Sequence, residues 1–480
     1  MKKSHMFFVV FNVFSLFFFC NSISFAANND WTNINGTVSY NGTPVCAMVL
    51  ANGQYMFTCS GDGSFNLDVP LDPDTGQITV FAFCEGLAPF EQVIYPAEGH
   101  GMQIEMAAGE GDSGMDVTST LTAISTTWVR LEGTVSYNGA PVCAMVLANG
   151  QYTFTCSGDG SYSLDVPIDP ADGSVTLFSF CSSLPPYKYV YTNSISIEVN
   201  QDYIHLDNGT LKVGLDLLSG GAIYYLSGSN ESRNLVNIAD RGRYIQQSYY
   251  AGNRINRKNE GQSIYWSPWP WNPIQAGDAF GNSSEVLESD IENGVVYTKT
   301  LPLLWDMNNE RAECFFEQWT TLHVNTVHVR NKLTIFRTDN LYGENRLNHQ
   351  ELPAVYPISA LSNLYTYMGS TPFSNAPIDN PDVVNLSSGF WGEYPTVTEH
   401  WMAFVDNNQW GMGVYNHKCI LFLAGMAGIP GGEARDGSTS YIAPLDAVIL
   451  RKIDTYEYEY DLILGTVTQI RQFAYGSHLQ

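Results

Sequence analysis

The chain has 480 residues, 44% of them hydrophobic and 13% aromatic, with 48 acidic against 22 basic side chains and a formal charge of -26. That supplies apolar material for several cores and excludes a disordered chain. So acidic a surface repels polyphosphate, which removes nucleic acid from the candidate partners.

Lys2 and Lys3 precede an apolar run from Met6 to Cys20, and Ser24-Phe25-Ala26-Ala27 supplies the small residues of a cleavage site. This is the layout of a secretory signal peptide over residues 1–27. The run is too short to span a bilayer comfortably, and no later stretch approaches membrane length. The expected product is therefore secreted to a periplasm, a cell surface or the medium, without an integral membrane segment. Cys20 lacks the small residues that precede a lipidated cysteine and reads as part of the signal. Charge is uneven beyond it: residues 28–211 carry 20 acidic side chains and two basic ones, Arg130 and Lys188, whereas residues 212–480 carry 28 and 18. The break marks a change of domain type.

Compared with itself at a shift of 97 residues, the chain matches Gly36–Ser64 to Gly133–Ser161 at 27 of 29 positions, and Trp31 falls on Trp128. These are two copies of one module. Turn signals at Asn41-Gly42, Asn52-Gly53 and Asp62-Gly63 separate short runs of Val, Tyr, Phe and Leu, the pattern of a small β-sandwich. Asn52-Gly53 is a favoured centre for a two-residue hairpin, which places Cys46 opposite Cys59 and, in the second copy, Cys143 opposite Cys156. Both pairs fall on non-hydrogen-bonded positions, where strands approach within reach of a disulfide, so Cys46–Cys59 and Cys143–Cys156 are the expected bonds. Cys84 and Cys181 are then expected as buried thiols, with pairing of Cys59 to Cys84, or of Cys156 to Cys181, left open. A zinc site lacks a nearby fourth ligand, since no histidine lies within either cysteine span. Asp72, Asp74 and Gly76 could begin a calcium loop, but the second copy moves the carboxylate to Asp169 and Asp172, as an ordinary turn allows.

The run Gly-Thr-Val-Ser-Tyr-Asn-Gly at 36–42, the Pro-Val-Cys-Ala-Met-Val strand and Gly-Asp-Gly-Ser before Asn66-Leu67-Asp68-Val69-Pro70 resemble carboxypeptidase-regulatory-like, transthyretin-like β-sandwich domains. The resemblance covers about residues 30–195 in two copies and implies non-catalytic spacer, display or binding modules. The expected division is residues 28–110 for the first repeat, 111–123 for a linker rich in Gly, Ser, Asp and Glu, 124–194 for the second repeat and 195–480 for one large domain.

The large domain holds eight of the ten tryptophans and again reads as strand, with alternation through Leu322, Val324, Val327, Val329 and Leu333 and no long helical period. The fold class expected for the whole chain is all-β, two small β-sandwich repeats plus a large antiparallel β-supersandwich. Leu206-Asp207-Asn208-Gly209-Thr210-Leu211-Lys212-Val213-Gly214-Leu215-Asp216, followed by Gly220-Gly221-Ala222-Ile223, resembles the first strands of galactose-mutarotase-like β-supersandwich domains. That resemblance covers about 30 residues and implies carbohydrate without naming a reaction.

Side chains point the same way. Tyr265, Trp266, Trp269 and Trp271, stiffened by Pro268, Pro270 and Pro273, form an aromatic loop whose flat rings could stack on pyranose faces, with Asn272, Gln275 and Asp278 for hydroxyls; the alternative is a loop buried against the sandwich. Arg233, Arg241, Arg243, Arg254, Arg257 and Lys258 put six cations within 26 residues, beside Tyr244, Gln246, Gln247, Tyr249 and Tyr250. Such a group suits an acidic sugar, or else a set of surface ion pairs. His349 and Glu351 are spaced by two, hence on one face of a strand, as a proton shuttle and its partner. Trp391, Glu393, Glu399, His400 and Trp401 add rings and carboxylates, and Cys314 with Cys419 are candidates for one disulfide. No metal spacing, phosphate loop or Gly-x-Ser-x-Gly elbow appears, and no metal or cofactor is assigned.

The functional expectation is a secreted carbohydrate-active protein bound to a polysaccharide or oligosaccharide, and a polysaccharide-degrading enzyme first. As a lyase, His349 or Tyr249 would abstract a proton beside a uronate carboxylate neutralised by Arg241 or Arg243. As a glycoside hydrolase, two among Glu351, Glu393, Glu399 and Asp278 would serve as acid and base. Gln247, Trp269, Trp271, Gln275, Asp278, Trp391, Glu393, His400 and Trp401 would line the substrate. The opposing expectation is a non-catalytic surface glycan-binding or adhesive protein.

Overall fold

The computed structural model describes residues 31–478 apart from 53, 60, 73–74, 85–86, 109–114, 171–172, 182–183, 185, 193–194, 344–345 and 389. The segment expected to be a signal peptide, Cys20 included, lies outside the described residues, as do Gly53, Asp74 and Asp172. The chain divides into two compact units, one of residues up to 113 together with 182–186, the other of 114–181 together with 187–480. The second repeat thus belongs to the same unit as the large domain. The chain is all-β, with one α-helix among the described residues, and no described helix is long and apolar enough to cross a membrane.

In the first repeat, the strand Trp31–Tyr40 pairs antiparallel with Ser64–Pro70 and Thr43–Pro44 and parallel with Met102–Glu105. A second sheet runs in the order Gln54–Phe57, Met48–Ala51, Ile78–Phe83, Phe90–Ile94. Between them Ile34, Val38, Val49, Val80 and Ile104 form the core, the inward half of each alternating strand. The second repeat has the same pairings 97 residues on, from Trp128 opposite Pro167 to Met145 opposite Phe154. One edge differs. Where the first repeat adds Met102–Glu105 in parallel, the second adds Met115–Ala123 antiparallel to Trp128–Tyr137. The linker expected at 111–123 is therefore strand from Met115 onward, because its Thr and Val residues alternate with a half-buried face.

The hairpin register is the expected one, with Ala51 opposite Gln54, Met48 opposite Phe57 and Asn52 at φ +42°. The Thr58 amide donates to the Ala47 carbonyl, so the next pair outward is the close one. There Cys46 bonds Cys59, and Cys143 bonds Cys156, each with Cα atoms 4.3 Å apart. Two disulfides are compatible with an oxidising, extracellular or periplasmic setting. Cys84 and Cys181 lie outside both bonds and are half-buried, not fully buried as expected. Cys314 and Cys419 are not joined: both are buried thiols in the main core, and burial pushes Cys419 up to about 12. Asp72 accepts from the Thr75 amide at 2.8 Å and its carbonyl from the Gly76 amide, an ordinary turn.

The large domain opens with a four-stranded antiparallel sheet, Ser196–Val199, Tyr203–Asp207, Leu211–Asp216 and Ala222–Gly228. An eight-stranded sheet follows the order Glu285–Glu292, Val295–Leu301, Cys314–His323, Thr326–Phe336, Ile453–Thr466, Trp410–Tyr415, Trp401–Val405, Asn363–Thr366. The alternating run read around Thr320–Ile335 is a hairpin in this sheet, with Val324 at φ +49° in its turn. A seven-stranded sheet has the order Leu303–Leu304, Pro273–Ile274, Gln246–Ser248, Asn348–Ala354, Thr439–Val448, Leu421–Ala427, Gly392–Tyr394. Leu206 and Val213, Phe316 and Leu462, Leu352 and Phe422 bring these three sheets into one core. The helix Val467–His478, not expected from the sequence, buries Ile470, Phe473 and Ala474 against Trp401, Ala403 and Tyr415. Its apolar stripe is only three turns long, too short to stand out beside strands.

Candidate functional site

The strand Asn348–Ala354 lies inside the seven-stranded sheet, between Gln246–Ser248 and Thr439–Val448. Gln350 and Leu352 are buried, while His349 is exposed and Glu351 half-buried on the opposite face, the parity that spacing by two requires. Glu351 stands in a row with Ser248 on one side and Leu445, then Leu421, on the other. This face carries its own small apolar cluster of Ala354, Tyr441, Ala443 and Leu445, with Tyr356, Trp391, Leu421 and Leu423 packed around it.

Three hydroxyls converge on the Glu351 carboxylate. Tyr441 donates at 2.5 Å and Tyr250 at 3.2 Å, and Ser248 donates as well. Burial raises the Glu351 carboxyl, and these hydrogen bonds only partly offset it. Burial also keeps the Tyr250 and Tyr441 phenols well above their ordinary value, so both are donors and neither is a base. The backbone of Tyr250 is clamped by Gln350, whose Oε1 accepts from its amide at 2.7 Å and whose Nε2 donates to its carbonyl at 2.9 Å.

From Glu351 the ring contacts run outward. Tyr250 meets Trp269 edge to face with centroids 6.2 Å apart; Trp269 meets Trp266 at 5.0 Å; Trp266 meets Trp305 at 5.8 Å. A Cβ on Gly242 would stand 2.5 Å from the Trp305 ring, so the turn Arg241–Arg243 lies directly on it. On the other side of Glu351, Tyr356 lies 4.8 Å from Tyr441, which donates to that carboxylate. Trp391 stacks on Tyr441 at 4.5 Å, and the Arg254 guanidinium lies 5.6 Å over Trp269. Tyr250, Trp266, Trp269, Trp305, Tyr356 and Trp391 are all half-buried, and Tyr265 at the outer loop is 87% exposed. These part-exposed rings, with one desolvated carboxylate among them, make up the basin.

Of the expected residues, Glu351 and Trp269 lie in this cluster, and Arg243 belongs to the turn on Trp305. His349 and Trp391 share the face, and Glu393 is exposed on it, paired with Leu423. Arg243 pairs with Asp240 at 2.9 Å and donates to the Gly437 carbonyl. Arg241 points away, donating to Ser219 Oγ at 2.9 Å and the Gly281 carbonyl at 2.7 Å.

Other expectations require correction. Tyr249 is 0% exposed, packed against Phe316 in the main core, with its hydroxyl donating to Gln247, so it cannot reach a substrate. Gln247 and Gln275 are buried amides: Gln275 Oε1 accepts from the Gln247 amide at 3.1 Å, and its Nε2 donates to Gln318 and to the Gly220 carbonyl. Trp271 is buried, with Arg337 over its ring at 5.1 Å. Asp278 caps its own loop, accepting from the Phe280, Asn282 and Asn309 amides. Trp401 is buried beneath the helix, and His400 is held by the Cys419 carbonyl at 2.9 Å. Glu399 is fully buried in an ion pair with Arg471 at 2.7 Å. Tyr356, Tyr441, Trp305 and Ser248 were given no role from the sequence; Trp266 was read in the aromatic loop and Tyr250 beside the cations, both outside the expected site residues. The available signal was strand parity, which puts Tyr250 opposite to Tyr249, and the tyrosine-bearing runs at 349–356 and 440–444.

No family model and no curated protein sequence matches this chain. Solved structures similar to it are of galactose mutarotase-like folds, among others. A putative aldose 1-epimerase from Escherichia coli is 9% identical, with 57% of this chain and 100% of that one covered and a TM-score of 0.35. A galactose mutarotase-like protein from Lactobacillus casei is 10% identical over 56% and 100%, TM-score 0.33. A GH36 alpha-galactosidase from Geobacillus stearothermophilus is 10% identical over 58% and 42%, TM-score 0.33. At these identities and TM-scores the likenesses assign neither residue roles nor a reaction.

Proposed function

We propose that the basin takes a saccharide and that Glu351 is its proton-transfer group, in a lyase-type reaction on an acidic polysaccharide. The supporting observation is a carboxyl raised by burial among half-buried rings. Rings offer flat apolar faces to pyranose C–H bonds, and a carboxylate made more basic by desolvation is suited to taking a proton near neutral pH. Arg254 at the rim supplies a cation for a uronate carboxylate. In this reading Glu351 takes the proton from the carbon beside that carboxylate, and the bond to the leaving sugar oxygen breaks. His349, about 7 Å along the same strand, protonates that oxygen.

A hydrolase using two carboxylates is less well supported. Asp278 and Glu399 are committed to their own loop and to Arg471. Glu393 lies three strands from Glu351, roughly 14 Å at sheet spacing and beyond the ~5–9.5 Å that glycosidase pairs use.

The test is incubation with a panel of uronate polymers, reading ultraviolet absorbance of unsaturated products. The reading predicts product from the native chain and at least a hundredfold loss in Glu351→Gln. Binding of the polymers without product in either form would establish the glycan-binding alternative instead.

A further inference from the structure

The four-stranded sheet that opens the large domain buries Ile204, Leu206, Val213, Leu215 and Ile223 in the main core. Its other face belongs to the alternate residues. There Tyr203, His205, Tyr224, Tyr225 and Tyr244 stand together, all half-buried. Tyr224 and Tyr225 are consecutive, and a regular strand would send them to opposite faces. The register shifts between Gly214, opposite Tyr225, and Leu215, opposite Ile223, leaving Tyr224 as the extra residue of a bulge that re-aims the strand. The two rings consequently lie 6.2 Å apart and at 5.8 and 5.9 Å from His205. Tyr203 is 4.7 Å from Tyr224, and Tyr244 is 6.4 Å from it. Gly214 gives the row its seat: a Cβ there would come within 2.8 Å of the His205 ring and 2.9 Å of the Tyr224 ring. The Tyr224 hydroxyl is hydrogen-bonded to His205 Nε2 at 2.8 Å, which holds the two rings in place.

The row is continuous with the basin. Tyr244, 6.4 Å from Tyr224, directly follows the turn Arg241–Arg243. The single turn Arg241–Arg243, seated on Trp305, therefore joins the two groups of rings. These five rings are part-exposed on a sheet face outside the core, and the flat faces and hydroxyls of the tyrosines suit a ligand that is apolar on one side and hydroxylated at its edges.

We propose that this row is a second saccharide platform, holding sugar units of the same chain whose reacting unit faces Glu351. The proposal rests on the reading of the basin as a saccharide site.

Fluorescence titration of the full chain with uronate oligomers of two to eight units tests it. Native affinity is expected to rise with length. Tyr203→Ala with Tyr225→Ala is expected to weaken octamer binding about five- to tenfold and leave dimer binding unchanged, whereas Tyr203→Phe, which keeps the ring, behaves as native. An equal loss for dimer and octamer, or no loss for either while the native chain binds, overturns the platform and leaves the basin standing. Native protein that binds no oligomer overturns the basin reading and the platform with it. Should the double variant fail to fold, hydroxyl-radical footprinting of the native chain with the octamer reads the same contact. Protection of residues 203–205 and 222–228 supports the platform, and unchanged labelling there overturns it.

Discussion

Breaking the Glu399–Arg471 pair should release the C-terminal helix. Glu399 has no solvent exposure and accepts from five donors: Arg471 Nε at 2.8 Å and Nη2 at 2.7 Å, Trp401 Nε1 and the Phe373 amide at 3.0 Å, and the Tyr475 hydroxyl at 2.9 Å. Arg471 is held in turn by the Ala376 carbonyl at 2.6 Å and lies 5.1 Å over the rings of Tyr367 and Tyr475. Burial raises the Glu399 carboxyl, but these donors, Arg471 foremost, outweigh it and hold the group below its ordinary value. In Glu399→Gln the guanidinium stays buried without its counter-charge, which costs about 3–5 kcal/mol. Hydrogen exchange of the peptide 467–478, read by mass spectrometry, should show that drop in opening free energy while the first repeat is unchanged. Replacing both partners, Glu399→Leu with Arg471→Met, should recover most of it, since a buried pair exchanged for apolar groups is near neutral. The sign of the pH effect follows from the lowered carboxyl. The stabilisation is present above the ordinary carboxylate range and is lost as pH falls below it, so the helix should open first in acid. A single variant within about 1 kcal/mol of the native protein, the usual size for an exposed pair, would refute this account.

Three further outcomes are expected. Glu351→Gln should change stability in the opposite sense with pH: the native carboxyl is raised, so its contribution is full below the ordinary value and fades as pH rises through the raised one. The variant should gain on the native protein in thermal melts at pH 8 and show no gain at pH 4. Gly476→Ala should destabilise despite alanine's higher helix propensity, because a Cβ there would run into the Ile124 carbonyl oxygen where helix and second repeat meet. Urea unfolding should show a loss of about 1–3 kcal/mol, where propensity alone predicts a gain of up to about 1 kcal/mol. Cys46→Ser with Cys59→Ser opens a loop of sequence separation 13 and should cost the first repeat about 3 kcal/mol in urea, leaving exchange in residues 196–478 unaltered.

What could be read from the sequence was mostly local. The Asn52 and Asn149 turns set hairpin registers by counting, and the two disulfides followed. Spacing by two put His349 and Glu351 on one face, and the aromatic loop around Trp269 was visible as composition. The remainder depended on separation along the chain. Tyr249 and Tyr250 differ only in parity, and the strand Gln246–Ser248 just before them carries an irregularity that composition does not announce. Gln247 and Gln275 look like surface hydroxyl readers, yet they satisfy each other inside the fold, where a buried amide needs partners. Glu399 looked catalytic because its partner is 72 residues away. Tyr441 lies 90 residues from Glu351, so the basin exists only once the sheet is assembled.

The most direct measurement is a crystal structure of Glu351→Gln with a uronate tetramer. The account predicts density for sugar rings over Trp269 and Tyr356, with a sugar atom within hydrogen-bonding distance of the side chain at position 351. Density for the tetramer elsewhere, with the basin occupied by solvent alone at saturating ligand, would contradict it.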